Sequence, residues 1–388
     1  MTPKQPIQQQ PTPKQPTAYR PVWAEVDLDA IRSNVRALRA HVAPAAVLAV
    51  VKADGYGHGA VPVGFAALDA GATSLGVALV EEGVALRQAG INAPILVLSE
   101  PVPDAATCVV EHRLTPVVYT PLGIEALAKA VVEAGSGEPL AVHLKVDTGM
   151  HRVGAAIRDA TVLAQQVAGH GELRLDGVCT HFAVADEPDD PYTEVQLELF
   201  DDALKSLRGL GIRPGTVHTA NTAAALAFPT SRRDMVRAGI GIYGIAPAPV
   251  LAGVVALQPA LAVKARVSHV KSLAAGTRVS YGLRYTLPAD ARVATVPVGY
   301  GDGVPRNLAQ AGGEVLVHGR RCRIAGTVTM DQLMVDVGDL PVERGDEVVL
   351  IGAQGDEAIT AAEWAERLGT IAYEIVCGIG PRVPRTYT

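Results

Sequence analysis

Residues 50–59 read Val-Val-Lys-Ala-Asp-Gly-Tyr-Gly-His-Gly. An apolar run, Val47–Val51, ends at Lys52, and a glycine-punctuated turn bearing Tyr56 and His58 follows at once. Near-continuous Val, Leu and Ala over that length is the pattern of a strand covered on both faces, as in a parallel sheet. An ammonium at the mouth of such a strand is costly to desolvate unless its pKa falls or it forms a bond. Two readings fit. Lys52 either snorkels its amine past the strand end, or it is a lysine that forms a Schiff base with a carbonyl compound.

The same unit repeats downstream. The apolar runs predict strands at Val47–Val51, Ser74–Ala78, Ile95–Leu98, Pro116–Tyr119, Val142–Val146, Gly177–Thr180, Thr216–Thr219 and Met235–Ala238. Between them lie segments with helical spacing, such as Gly123–Val132 and Tyr192–Leu207 with Leu197, Phe200, Leu204 and Leu207 on one face. Strands alternating with helices argue for a parallel sheet, and eight units in about 200 residues fit a closed (β/α)8 barrel of TIM type. After Pro247 the rhythm changes to short β-like runs between Gly- and Pro-rich turns: Val263–Leu273, Ala291–Val298, Glu314–Val317, Arg323–Ala325, Leu333–Val335 and Glu347–Ile351. One helix is expected there, Ala361–Leu368, capped by Thr360 with Glu363 three residues on. The expected organisation is a Pro/Gln-rich tail (1–20), a barrel (21–250) and a mostly β C-terminal domain (251–388), with segment 21–43 able to pack on the latter.

Composition narrows the function. The 388 residues are 48% hydrophobic and 19% charged, with a net charge of −6. That is an ordinary balance for a globular enzyme and gives no polyanion-binding surface, so nucleic acid is not expected as a partner. Four cysteines without CxxC spacing (Cys108, Cys179, Cys322, Cys377) point to neither a metal site nor a disulfide framework, and fit a reducing cytoplasmic setting. No uninterrupted apolar run is long enough to span a membrane.

In barrels of this type, chemistry gathers at the C-terminal ends of the strands. The unusual polar residues of this chain fall there: Lys52 after the first strand, Lys145 and Asp147 at the fifth, and His181 after the sixth. Asn221 and Thr222 follow the seventh, and Arg237 lies in the eighth before Gly239 and Gly241. Singly each has a bland reading, for instance a Lys145–Asp147 ion pair or a core histidine at 181. Together on one rim they describe a site.

These residues sit in an ordered series of motifs that resembles the alanine racemases, pyridoxal-phosphate enzymes of fold type III. The series runs from the 50–59 decapeptide through Lys-Val-Asp-Thr-Gly-Met-His-Arg-Val-Gly at 145–154, Thr-His-Phe-Ala at 180–183 and Val-Arg-Ala-Gly-Ile-Gly-Ile-Tyr-Gly at 236–244. It continues with Val-Ser-Tyr-Gly at 279–282, Val-Gly-Tyr-Gly-Asp-Gly at 298–303, Met-Asp-Gln at 330–332 and Tyr-Glu-Ile-Val-Cys at 373–377. The resemblance covers about Trp23 to Arg385.

It implies a division of labour. Lys52 carries pyridoxal 5'-phosphate and acts as one base, and Tyr281, reaching in from a second subunit, is the base on the opposite face. Arg237 faces the pyridine nitrogen; a guanidinium stays protonated, so the ring nitrogen stays unprotonated and the electron sink is tempered. Tyr56, Thr222, Tyr373 and the backbone amides of Gly239 and Ile240 hold the phosphate. His181 bridges Arg237 and the partner's phenol. Arg152 and Met330 meet the substrate, Arg306 lends charge to the corridor by which it enters, and Lys145 occupies a position that the family often carbamylates. Many members place an arginine three residues before Met330, where this chain has Thr327, which puts the electrostatics of that corridor in question. The implied activity is interconversion of L- and D-alanine in a homodimer with composite sites, supplying D-alanine for peptidoglycan. Alternatives are a serine or broader-specificity racemase, a decarboxylase, against which Val-Ser-Tyr-Gly argues, and a non-catalytic carrier of the cofactor, which would lack the C-terminal domain.

Overall fold

The computed structural model of the chain describes residues 19–135 and 137–388, so most of the expected tail lies outside the described residues. In chain order the first strands are β1 (Val22–Val26), β2 (Ala46–Val50), β3 (Ser74–Val77), β4 (Ile95–Val97), β5 (Thr115–Val118), β6 (Leu140–Asp147), the short β7 (Ala155–Ala156), β8 (Leu173–Cys179), β9 (Thr216–His218) and β10 (Met235–Ala238). Eight of them pair in parallel in the order β10-β2-β3-β4-β5-β6-β8-β9. All eight predicted barrel strands are present.

The ring closes between its ends through bonds from the Asp234 amide to the Val217 carbonyl (3.0 Å) and from the Arg237 amide to the Ala220 carbonyl (2.9 Å). The Asp234 carboxylate adds a third, accepting from the Val217 amide at 2.7 Å. The barrel strands are apolar on both faces because the interior packs side chain on side chain while helices cover the outside. The helix Tyr192–Gly209 shows how: Leu197, Phe200, Leu204 and Leu207, spaced by three and four, are its buried face.

The remaining strands are β11 (Leu261–Arg266), β12 (His269–Leu273), β13 (Arg278–Val279), β14 (Tyr285–Thr286), β15 (Ala291–Val296), β16 (Glu314–Val317), β17 (Arg320–Ile324), β18 (Leu333–Gly338), β19 (Glu347–Gln354), β20 (Glu357–Ile359) and β21 (Arg385–Tyr387). All but β13 and β14 join β1 in a second, largely antiparallel sheet, β12-β15-β18-β17-β16-β19-β11-β1-β21, with β20 on β19, while β13 and β14 pair with each other as a two-stranded ribbon. β1 runs between β11 and β21, so the start and end of the described chain lie side by side. The expected single run Val263–Leu273 is two strands. At Val267–Ser268 the chain leaves the β19 edge and joins β15, with the Val267 amide on the Asp346 carbonyl and the Ser268 amide on the Thr295 carbonyl. The expected helix Ala361–Leu368 is present, and the Thr360 hydroxyl accepts from the Glu363 amide at 3.0 Å. The reciprocal half of the capping box is not made, because the Glu363 carboxylate pairs instead with Arg321 (2.8 Å) and Arg367 (3.1 Å).

A last helix, Ala372–Gly378, docks on the barrel mouth. A methyl group at Gly57 (φ +79°) would overlap the Val376 carbonyl, so only glycine permits that approach. Arg385 reinforces it by donating from Nε to the Gly57 carbonyl at 3.0 Å.

Candidate active site at the barrel mouth

Where β2 ends, Lys52 opens a tight turn in which Ala53, Asp54, Gly55 and Tyr56 all have φ between 50° and 62°. Left-handed backbone costs an L-residue roughly 1–2 kcal/mol, so a run of it persists only when the surroundings hold it. Glu82 does much of the holding: one carboxylate oxygen accepts from the Ala53 amide (2.6 Å), the other from Ala78 and Leu79 (2.8 and 3.1 Å). Asp54 accepts from the Ala60 amide at 2.9 Å. The turn aims Lys52 into the mouth and Tyr56 toward β10. Desolvation and, next, the nearby charge of Arg152 hold the Lys52 ammonium below its usual pKa. A lysine so placed spends more time as the neutral, nucleophilic amine.

Tyr56 is buried beside Tyr243 and Tyr373, with ring centroids 4.9 and 6.0 Å away, and burial pushes the phenols of Tyr56 and Tyr373 well up, so both remain neutral donors. A methyl at Gly239 would come within 2.7 Å of the Tyr56 hydroxyl. The Gly239 amide donates to the Thr222 hydroxyl at 2.9 Å. Tyr56, Tyr373, Thr222, Gly239 and the adjoining Ile240 therefore converge on one small cradle of hydroxyls and backbone amides. Asn221, by contrast, is a helix cap whose side chain accepts from the Ala224 amide at 2.9 Å.

Arg237 lies across the barrel interior, 5% exposed. Its Nη1 donates to Nδ1 and the carbonyl of His218 (2.9 and 3.0 Å). Nη2 donates to the Thr180 and Thr219 carbonyls (each 2.8 Å) and to Nδ1 of His181 (3.0 Å). Among the described residues no acceptor meets its Nε–H. Because Arg237 only donates, Nδ1 of His218 must accept, which puts the His218 proton on Nε2 and makes it the donor to Nδ1 of His143, 2.8 Å away. Burial, together with the Arg237 charge, keeps His143, His181 and His218 below the usual imidazole range and neutral. Gly177 makes room for this pair, since a Cβ there would collide with the His143 ring at 2.5 Å. Neither His143 nor His218 stood out in the sequence. The one signal was a histidine at the end of an otherwise apolar strand, Val217-His218-Thr219.

Lys145 is 8% exposed, and desolvation lowers its pKa. The surrounding charges are those of Arg237, Arg152 and Lys52. The ion pair with Asp147 that the sequence allowed is not made. Asp147 turns to the loop backbone, accepting from the Gly149 and His151 amides at 3.0 Å each, and so shapes the loop that presents the exposed Arg152. Four basic side chains (Lys52, Lys145, Arg152 and Arg237) therefore converge on the mouth, and the carboxylate that acts on Lys52, Glu82, is occupied by backbone amides.

Tyr281, Arg306 and Met330 form a separate group on the β-rich part of the chain. They line a cleft of about 650 Å³ with Tyr300 and residues 328–332. No hydrogen bond, ion pair or ring contact among the described residues joins this group to Lys52. Tyr281 is 73% exposed and Met330 53%. Thr327 does not line the cleft; it is buried behind it, and its hydroxyl donates to the Tyr281 carbonyl at 2.9 Å.

Two family models cover nearly the whole chain: alanine racemase, N-terminal domain, over residues 26–247, and alanine racemase, C-terminal domain, over residues 260–387. The chain is similar to an alanine racemase of Symbiobacterium thermophilum, 51% identical over 371 residues, covering 95% of this chain and 97% of that one. Among solved structures it is similar to alanine racemase from a D-cycloserine-producing Streptomyces lavendulae, with a TM-score of 0.90, 41% identity and coverage of 95% and 97%. A histidine racemase from Leuconostoc mesenteroides shares the fold at 33% identity and a TM-score of 0.86, covering 95% and 98%.

Proposed function

The chain belongs to the alanine racemase family and racemises alanine, and we propose that it does so with Lys52 and the Tyr281 of a second copy as opposed bases, around pyridoxal 5'-phosphate. The observation that carries the cofactor assignment is the pairing of a cation-rich mouth with an Arg237 whose hydrogen bonds to the described residues all leave from Nη1 and Nη2, so that Nε–H is unspent. A phosphate fits the cradle of the Tyr56, Thr222 and Tyr373 hydroxyls with the Ile240 amide, and the Gly239 amide would join them by turning from the Thr222 hydroxyl, as anions fit N–H groups at the carboxyl ends of barrel strands. The Arg237 Nε–H fits a neutral ring nitrogen.

When bound, the cofactor supplies the electron sink that makes the Cα hydrogen of an amino acid acidic. The protein does the rest. The Lys52 amine, with its pKa lowered, takes or returns the proton on one face of Cα. On the other face the Tyr281 phenol does the same, and His181, held on Arg237, faces that phenol. Arg152 grips the substrate carboxylate in a two-pronged bond, and Met330 of the second copy closes the pocket over a small side chain. Arg306 draws the anionic end of the substrate along the corridor. A carbamate on Lys145 would turn the central repulsive charge into an anionic anchor for Arg152. A native intact mass about 44 daltons above the unmodified chain (one added CO2) is expected, lost in Lys145→Ala; an unshifted mass removes the carbamate.

We place the enzyme in the cytoplasm as a source of D-alanine for peptidoglycan; no helix among the described residues is long and apolar enough to cross a membrane. The direct test is D-alanine formation from L-alanine by the cofactor-loaded protein, with Lys52→Ala as control. Serine and histidine serve as competing substrates, and faster turnover of either overturns the assignment to alanine.

A further inference from the structure

The backbone just before Tyr281 is held in a conformation that ordinary residues avoid. Ser280 has φ +67° and ψ −178°, a region populated almost only by glycine, and Gly282 and Leu283 follow at +74° and +50°. At Ser280 and Leu283, which are not glycine, such a backbone persists only where neighbours over-determine it. Here the neighbour is Thr327. Its carbonyl accepts from the Ser280 hydroxyl at 2.6 Å, and its own hydroxyl donates to the Tyr281 carbonyl at 2.9 Å. Behind it, the Gln310 amide donates to the same hydroxyl at 3.2 Å, which leaves the Thr327 proton free to point only at Tyr281. The two segments are pressed together at Gly326 (φ +81°), where a Cβ would fall 2.6 Å from Cβ of Ser280 and from the Val279 carbonyl. Thr327 itself is 4% exposed. All of this order is in the backbone, while the Tyr281 ring stands free of it.

We propose that Thr327, backed by Gln310 and locked to Ser280, is the positioning residue that fixes where the Tyr281 phenol stands, so that proton transfer on that face alone depends on its hydroxyl. The sequence reading treated Thr327 as a missing charge in the substrate corridor; its burial behind the cleft replaces that with a mechanical role. The proposal rests on Tyr281 being a base. Proton transfer needs heavy atoms within about 2.6–3.2 Å, and an ångström of misplacement can cost about a hundredfold. A carbonyl released from a strained turn moves the residue that bears it.

The test is Thr327→Val, which keeps the shape and removes the hydroxyl, beside Thr327→Ser, which keeps the hydroxyl. L- and D-alanine have equal free energies, so kcat/KM must remain equal in the two directions for every variant. The individual isotope effects need not. With Cα-deuterated alanine, Thr327→Val should lower kcat about tenfold and leave KM and cofactor dissociation within about twofold. Its isotope effect should rise for the enantiomer whose proton Tyr281 removes and fall for the other. Thr327→Ser should restore both. Unchanged kcat and isotope effects in Thr327→Val overturn the proposal, as does a Ser variant no better than Val, or a loss carried by KM and cofactor binding. Should the Val variant not fold, Gln310→Leu carries the same test, with the same sign of isotope divergence expected and its absence counting against the clamp. Tyr281→Phe separates the two levels: if it retains activity, the base assignment fails; if it is inactive while Thr327→Val behaves as wild type, only the clamp fails.

Discussion

The barrel mouth and the turn that carries Tyr281 place their reactive side chains by opposite means. At the mouth the side chains themselves are fixed. Arg237 spends five hydrogen bonds on two histidines and three carbonyls, Tyr56 is walled in by tyrosines, and Lys145 is nearly inaccessible. At the Tyr281 turn only the backbone is fixed, by Thr327 and Ser280, and the phenol, 73% exposed in the single chain, projects from it. A buried, preorganised half and an exposed, rigidly mounted half fit the proposal of one site divided between two copies of the chain. Among the described residues, the lining of the Tyr281 cleft includes no lysine, and no bond or ring contact joins that cleft to Lys52.

The largest effects should come from breaking each half at its reactive atom. On the proposed reading, in which Lys52 is both a base and the amine that holds the cofactor, Lys52→Ala should cost about 10⁴-fold or more in racemisation; D-alanine production measured with a coupled oxidase checks this. Tyr281→Phe should cost about 10²–10⁴-fold, as expected for one general acid–base group, yet leave cofactor binding by absorbance titration unaltered. A Tyr281→Phe protein that loses the cofactor would erase the distinction between the two halves.

Acid should sharpen the contrast, because the mouth depends on neutral histidines and the Tyr281 turn on none. Desolvation pushes the buried imidazoles of His58 and His143 down to about 4 from an ordinary 6.5. Both are neutral when folded, whereas the unfolded chain takes up protons near 6.5. The stability gained from their neutrality is therefore complete above pH 6.5 and is lost progressively as the pH falls toward 4. The loss should be on the order of 3 kcal/mol for each group. At pH 5, still above the folded value of about 4, about 2 kcal/mol of it per group should already be lost relative to pH 7, as read by urea unfolding; equal stability at the two values would contradict two buried neutral imidazoles.

How much of this was readable in advance divides along the same line. The barrel strands were legible because burial on two faces writes continuous Val, Leu and Ala runs, and Lys52, His181 and Arg237 stood out against that apolar background. The helix after Thr360 was legible because caps are local. The break at Val267–Ser268 was not, since an apolar run looks the same whether a strand continues or changes neighbours. His143 and His218 escaped because their meaning lies in a contact across three strands, from positions 75 residues apart. Thr327 was noticed as a charge that is missing, whereas its role depends on a φ angle at Ser280 that no residue type announces.

Co-expression of Lys52→Ala and Tyr281→Phe chains under separate tags tests the divided site most directly. Random pairing makes about half the dimers hybrid, each with one intact site of two, so activity should recover to about a quarter of wild type, all of it in the doubly tagged fraction. Hybrid dimers that form but remain inactive, or a wild-type monomer that racemises alanine alone, would contradict it.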